Sequence, residues 1–227
     1  AETKKNIFDK DIIIFFAPRD VGREASDPVN TNYTYLRINE NLDIIDRLPF
    51  ISMAPCWQIK KKLNDDKNNE IYFFGASLKG KNKYYDDLKK TKAFDGFQIM
   101  KVRDHKIEYL KYYSLDELNR KIVRSPGIKK SKPYDGKRIL LASSTLTSNK
   151  KLIIVGQNWK YHERFSSDIS STYGTGSKFN DISESKLKVT YYDCFGLSFD
   201  ESGNYLAQYL SETKSDMEAG EDFAKFQ

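Results

Sequence analysis

Three apolar runs, each stopped by a small residue and each followed by a hairpin, constrain this chain more than anything else in it. They read Ile12-Ile13-Ile14-Phe15-Phe16-Ala17, Ile71-Tyr72-Phe73-Phe74-Gly75 and Leu152-Ile153-Ile154-Val155-Gly156. After a variable loop comes a pair of alternating arms: Tyr33–Ile38 with Leu42–Leu48, Phe97–Val102 with Lys106–Tyr112, and Phe195–Phe199 with Tyr205–Leu210. Polar turns separate the arms, at Asn39-Glu40-Asn41, Arg103-Asp104-His105 and Asp200–Asn204. Alternation of period two around such turns is the signature of paired antiparallel strands. The runs begin at 12, 71 and 152, in steps of 59 and 81 residues. Self-similarity in fixed order is what repeat architectures look like.

Two of the units carry a further strand ahead of the apolar run. Trp57–Leu63 precedes Ile71 across the Asn64–Asn69 turn, and Arg138–Leu146 precedes Leu152 across Thr147-Ser148-Asn149-Lys150. The first unit lacks one, because Ala1–Lys10 is short and polar. The expected fold is therefore all-β, built from antiparallel four-stranded modules in a β-propeller-like arrangement. One repeat-built domain spans the chain, with modules near 1–50, 51–128 and 129–227. The small residue ending each run fits strands that crowd where modules converge. A β-sandwich of about ten strands is the alternative, though sandwiches need no in-order repeat. Rings ordinarily need at least about four blades, so the ring is partial or unclosed. It is then part of a longer protein, or closed by self-association with another copy, or a short solenoid. Short helices are expected after modules. Ser114-Leu115-Asp116-Glu117 starts one, with Leu115, Leu118 and Ile122 on one face and Pro126-Gly127 as its stop, and Ser215-Asp216-Met217-Glu218 repeats the signal.

Composition supports strands and narrows the partners. Hydrophobic residues make up only 39%, but aromatics reach 14%, with Tyr 15 and Phe 14. Such residues favour pleated, half-buried surfaces over disorder. The net charge is +6, yet the lysines lie in short scattered runs such as Lys60-Lys61-Lys62 and Lys89-Lys90, so no nucleic-acid partner is expected. No apolar stretch approaches the roughly 20 residues of a membrane helix. The chain opens Ala1-Glu2 rather than with Met, as removal of a secretory leader would leave it. Cys56 and Cys194 make either one disulfide or two buried thiols, and their aromatic and apolar neighbours favour thiols.

A resemblance is carried by the third unit. Pro133-Tyr134-Asp135-Gly136-Lys137-Arg138 leads into a strand, Val155-Gly156-Gln157-Asn158 follows, and Phe199-Asp200-Glu201-Ser202-Gly203-Asn204 precedes Ala207-Gln208-Tyr209. This part of the chain, mainly residues 130–210, resembles an uncharacterised group of secreted Bacteroidetes proteins of propeller type. The resemblance implies a secreted or periplasmic location and members longer than this chain. It implies no activity.

Catalytic constellations are scarce. The two histidines are His105, in a turn, and His162, in Trp159-Lys160-Tyr161-His162. No Gly-x-Ser-x-Gly elbow, phosphate loop, metal-ligand spacing or calcium loop occurs, so no cofactor is expected. Phe94-Asp95-Gly96-Phe97 and Tyr192-Asp193-Cys194-Phe195 share aromatic-Asp-x-Phe at the start of a third strand. Structurally, such an Asp accepts loop N–H groups, as Asx turns do. Functionally, Asp95 and Asp193 would be rim carboxylates able to act as acid and base on a glycosidic bond.

In a four-stranded meander, the second loop and the outgoing link share one end. That end carries Arg19–Thr31, Leu78–Lys92, Ser114–Lys137 and Lys160–Glu184. Long loops on a rigid scaffold are where binding is placed. Trp159, Tyr161, His162 and Tyr173 are thus expected with Tyr84 and Tyr85 on a ligand-binding face, unless Trp159 is simply the last buried residue of its strand. The leading expectation is a secreted, non-enzymatic binding or scaffold protein whose ligand is a protein or glycan. A glycoside hydrolase-like enzyme using Asp95 and Asp193 is the alternative.

Overall fold

A computed structural model describes residues 11–17, 31–79, 94–124, 126, 132–136, 139–163, 187–211 and 215–218. Within these residues the chain is all-β apart from one short helix. The first sheet is formed by β1 (Ile12–Phe16), β2 (Asn32–Ile38) and β3 (Ile44–Ile51), in that order. The second contains β4 (Cys56–Trp57), β5 (Lys61–Asp65), β6 (Glu70–Leu78), β7 (Gly96–Arg103) and β8 (Lys106–Ser114). Helix α1 (Leu115–Leu118) and strand β9 (Ile122–Arg124) lead to the third sheet. There β10 (Ile139–Leu146), β11 (Leu152–Glu163), β12 (Leu187–Phe199) and β13 (Tyr205–Ser211) form the meander, and β14 (Ser215–Glu218) pairs with β12.

The three apolar runs occupy corresponding places. β1 pairs antiparallel with β2, β6 with β7, and β11 with β12, each inside its own sheet. Face-to-face stacking of these sheets makes the core. From one face of the central sheet Ile71, Phe73, Met100 and Val102 pack, together with Trp57, against Tyr33 and Tyr35 of the first. From its other face Tyr72, Phe74, Phe97 and Ile99 pack against Leu152, Ile154, Phe195, Leu197, Phe199 and Leu210 of the third. β6 is buried along almost its whole length because it has a sheet on both sides. That is why it reads as a continuous apolar run rather than an alternating one.

Three local expectations are corrected. The opening strand of the second module is broken into β4 and β5, with Gln58 and Lys60 bonding across the gap to Ala76 and Phe74. Its cause is Gly75, whose missing Cβ leaves room for the Gln58 carbonyl; an added methyl would overlap that oxygen. Crowding at Gly75 therefore comes from the adjacent strand's backbone, and at Gly156 from the ring of its cross-strand partner Phe195. Convergence of modules is not the reason at either position. Second, the helix at Ser114 stops at Leu118, and Ile122 lies instead in β9, parallel to β13. Third, Ser215–Glu218 is a strand, not a helix start. It continues along the edge of β12 beyond the stretch that β13 covers, pairing with Lys188–Tyr191.

The predicted capping box at Ser114 is present. Ser114 Oγ accepts from the Glu117 N–H at 3.2 Å, and the Glu117 carboxylate accepts from the Ser114 N–H at 2.8 Å. Those bonds hold the Glu117 carboxyl below its ordinary range. Cys56 is buried beside Ala76 and Phe94 in the central sheet, whereas Cys194 lies half-buried in β12, with no disulfide between them.

Candidate functional site

The segment Lys132–Gly136 explains what the paired aspartates do in the fold. Its sequence, Lys-Pro-Tyr-Asp-Gly, crosses the end of the interface between the second and third sheets. At one side Asp193 Oδ2 accepts the Lys132 N–H at 2.6 Å. In the middle, Tyr134 is fully buried, stacks on Phe195 with ring centres 5.2 Å apart, and donates its N–H to Gln208 Oε1 at 2.7 Å. At the far side the Gly136 carbonyl accepts the N–H of Phe94, the residue before Asp95. Gly136 holds φ +78 there, and a Cβ would run into the Phe94 carbonyl, so only glycine fits. Burial, with Asp135 and Asp95 nearby, pushes the Tyr134 phenol far above its ordinary value.

Asp95 itself is tied down on both oxygens. Oδ2 accepts the Lys79 N–H at 2.8 Å and Oδ1 accepts the Tyr112 hydroxyl at 3.0 Å. Burial first, then the charge of Asp95, raises the Tyr112 phenol, which keeps it a donor. The bonds to Lys79 and Lys132 reach across 16 and 61 residues of sequence, so these are long-range clasps rather than local Asx turns. Chain, not a cleft, bridges from Asp193 to the neighbour of Asp95.

The aromatic candidates lie on a projecting arm. β11 and β12 pair from Leu152↔Phe199 out to Glu163↔Leu187, with a bulge between Gln157 and Trp159. β10 follows β11 only as far as Asn158. Beyond the bulge the arm consists of Trp159–Glu163, Leu187–Tyr191 and β14. At the usual rise it extends roughly 16 Å. Strand alternation puts positions 159 and 161 on one face of the arm and position 162 on the other. Tyr84, Tyr85 and Tyr173 lie outside the described residues.

Sequence inspection missed two buried glutamines that clamp the links between sheets. Gln98 accepts the Met53 N–H at 3.0 Å and bonds Ser52. Gln208, besides holding Tyr134, donates to the Leu118 carbonyl and to Asn119 Oδ1, both at 3.2 Å. A glutamine on a core-facing strand position was the available signal. His105, read as an exposed turn residue, instead sets Nδ1 2.5 Å from Oδ1 of buried Asp46 and so joins the first sheet to the second. Among the described residues no group of three or more His, Cys, Asp or Glu side chains is placed to hold a metal ion.

The fold and this site define an all-β protein of stacked antiparallel sheets, compatible with propeller-like or sandwich organisation. No protein-family model matches the chain, and no curated sequence does.

Proposed function

We propose that this is an exported, non-enzymatic binding scaffold of propeller type that captures a glycan or a protein segment on the arm formed by β11 and β12. One observation supports it above the others. Strand pairing in the third sheet continues past the shared bulge into an arm that the rest of the meander does not need for its core. Bulges re-aim strands next to functional sites. Trp159 and Tyr161 sit on one face of that arm, and amphipathic rings supply large contact area at small entropic cost. Engagement of Asp95 and Asp193 by backbone N–H groups favours binding over hydrolysis. The resemblance of residues 130–210 to exported proteins favours the same reading.

The test is removal of Ser166–Ser177, alongside the double substitution Trp159→Ala/Tyr161→Ala. Both variants are expected to melt within about 2 °C of the parent, a shift equivalent to under 1 kcal/mol. Both should lose capture on a glycan array or in a pull-down with defined protein ligands. Undiminished capture would overturn the reading and move the site towards Asp95 and Asp193.

A further inference from the structure

We infer that the outer edge of β1 is a strand-addition site for an extended segment of another polypeptide, carrying apolar residues at alternate positions. This edge is separate from the arm of β11 and β12. β6 is flanked by β5 and β7, and β11 by β10 and β12. Among the described residues β1 has only β2 beside it. The position filled by β5 and β10 in the other two sheets has no strand here.

β1 also has the make-up of an interior strand. Ile-Ile-Ile-Phe-Phe contains no charge or proline, and its register with β2 runs without a bulge. Natural edge strands are guarded by such devices, because unpaired N–H and C=O groups recruit further strands. Exposure locates the gap. Phe15 meets the rings of Tyr35, Phe50, Trp57 and Phe73 with centres 5.0 to 6.4 Å away, yet remains partly exposed. Core-facing residues of the corresponding strands, Phe73 and Ile154, are 2% and 0% exposed. Ile12 and Phe16, on the outer face of β1, are 50% and 55% exposed.

A floor for the missing strand already exists. The central sheet continues past β6 into β4 and β5, and Trp57 and Ile59 pack in the same core as Phe15. That floor admits a single strand but not a second copy, which would bring its own central sheet into the space β4 and β5 occupy. The template strands state the required pattern: Leu63 lies opposite Tyr72 and Leu146 opposite Leu152, and both leucines pack into the neighbouring core. The occupant therefore needs an apolar residue opposite Ile13 or Phe15. Residues ahead of β1 do not carry that pattern. Folded back with the β5–β6 turn they would offer Asn6 and Lys4, and with the β10–β11 turn Lys5 and Thr3. Recognition would be main-chain pairing for affinity and alternate side chains for selection.

The probe is a fluorescein-labelled synthetic peptide with the sequence of Ile139–Leu146, compared with a scrambled peptide whose apolar residues are adjacent. Saturable binding of the first alone, with at least tenfold slower amide exchange at Ile12–Phe16 in the full chain, is the expected result. A variant in which the sequence of residues 139–150 replaces residues 1–10 should melt higher by about 2–4 °C or more and no longer bind the peptide. Equal binding of both peptides, unprotected β1 amides, or an unshifted melting temperature in the graft would each overturn the inference. So would a concentration-dependent dimer with β1 protected in the absence of peptide, which would make a second copy the occupant. Protection in the monomer that disappears when residues 1–10 are deleted would assign the edge to the chain's own segment and would equally overturn it.

Discussion

At the scale of single residues, this fold is decided by where a side chain is forbidden. Gly75 admits the bent backbone at Gln58, and Gly156 admits the Phe195 ring, whose Cζ would lie 2.5 Å from an added Cβ. Phe195 cannot swing away freely because Tyr134 stacks on it. Gly196 differs, since its nearest neighbour, Tyr209 Cβ, would be 3.8 Å from a methyl, an ordinary contact. Gly75→Val and Gly156→Val should each destabilise the protein by about 1–3 kcal/mol or more through overpacking. Gly196→Ala should leave the melting temperature unchanged or raise it, because glycine weakens a strand interior. Thermal melts of the three variants check this; equal behaviour of all three would show that crowding does not select these glycines.

At the scale of elements, a buried ionic group ties three strands of the central sheet together. Lys101 on β7, 0% exposed, sits 2.9 Å from Glu70 on β6 and 3.1 Å from Glu108 on β8. Tyr72 donates to the second Glu70 oxygen at 2.7 Å, and Arg103 approaches the first at 3.5 Å. Burial and the Glu70 hydrogen bond raise the Tyr72 phenol well above its ordinary value, so it stays protonated as the donor. A lone buried charge costs far more than an intact pair contributes. Lys101→Met is therefore expected to lose about 3–5 kcal/mol. Pairing it with Glu70→Gln should restore a large part, measured as a non-additive double-mutant cycle in denaturant unfolding. Additive losses would mean that the two side chains are not coupled.

At the scale of the whole molecule, phenols are concentrated where sheets meet. Tyr72, Tyr109, Tyr113, Tyr134 and Tyr205 belong to or pack on the core between the second and third sheets, and Tyr35 lies in the other core. Burial raises all of them, Tyr205 to about 12. For a phenol whose value is raised in the folded state, the stabilisation is complete below the ordinary value of 10.0 and is lost as pH rises beyond it. The chain should thus unfold cooperatively above about pH 10, with phenolate absorbance appearing together with loss of near-ultraviolet circular dichroism. Separate titration of the phenols near their ordinary value in a folded chain would contradict the burial of this set.

How much of this fold is legible in the sequence follows from how local each signal is. The apolar runs and polar turns specified the hairpins because alternation and turn chemistry act within a few residues, and the corresponding pairings of β1, β6 and β11 follow them. Position in a stack is not local. Ser-x-x-Glu occurs at Ser114 and at Ser215; the first caps a helix whose Leu118 is buried, and the second lies in a strand on the uncovered edge of β12. The same four-residue signal resolved oppositely because backbone N–H and C=O groups pair with whatever partner the surrounding fold presents. The aspartates show this for the site. The sequence marked Asp95 and Asp193 as corresponding, but only tertiary structure brought Lys132–Gly136 against them and engaged their oxygens. Those donors lie too far away in the chain for any local pattern to announce them.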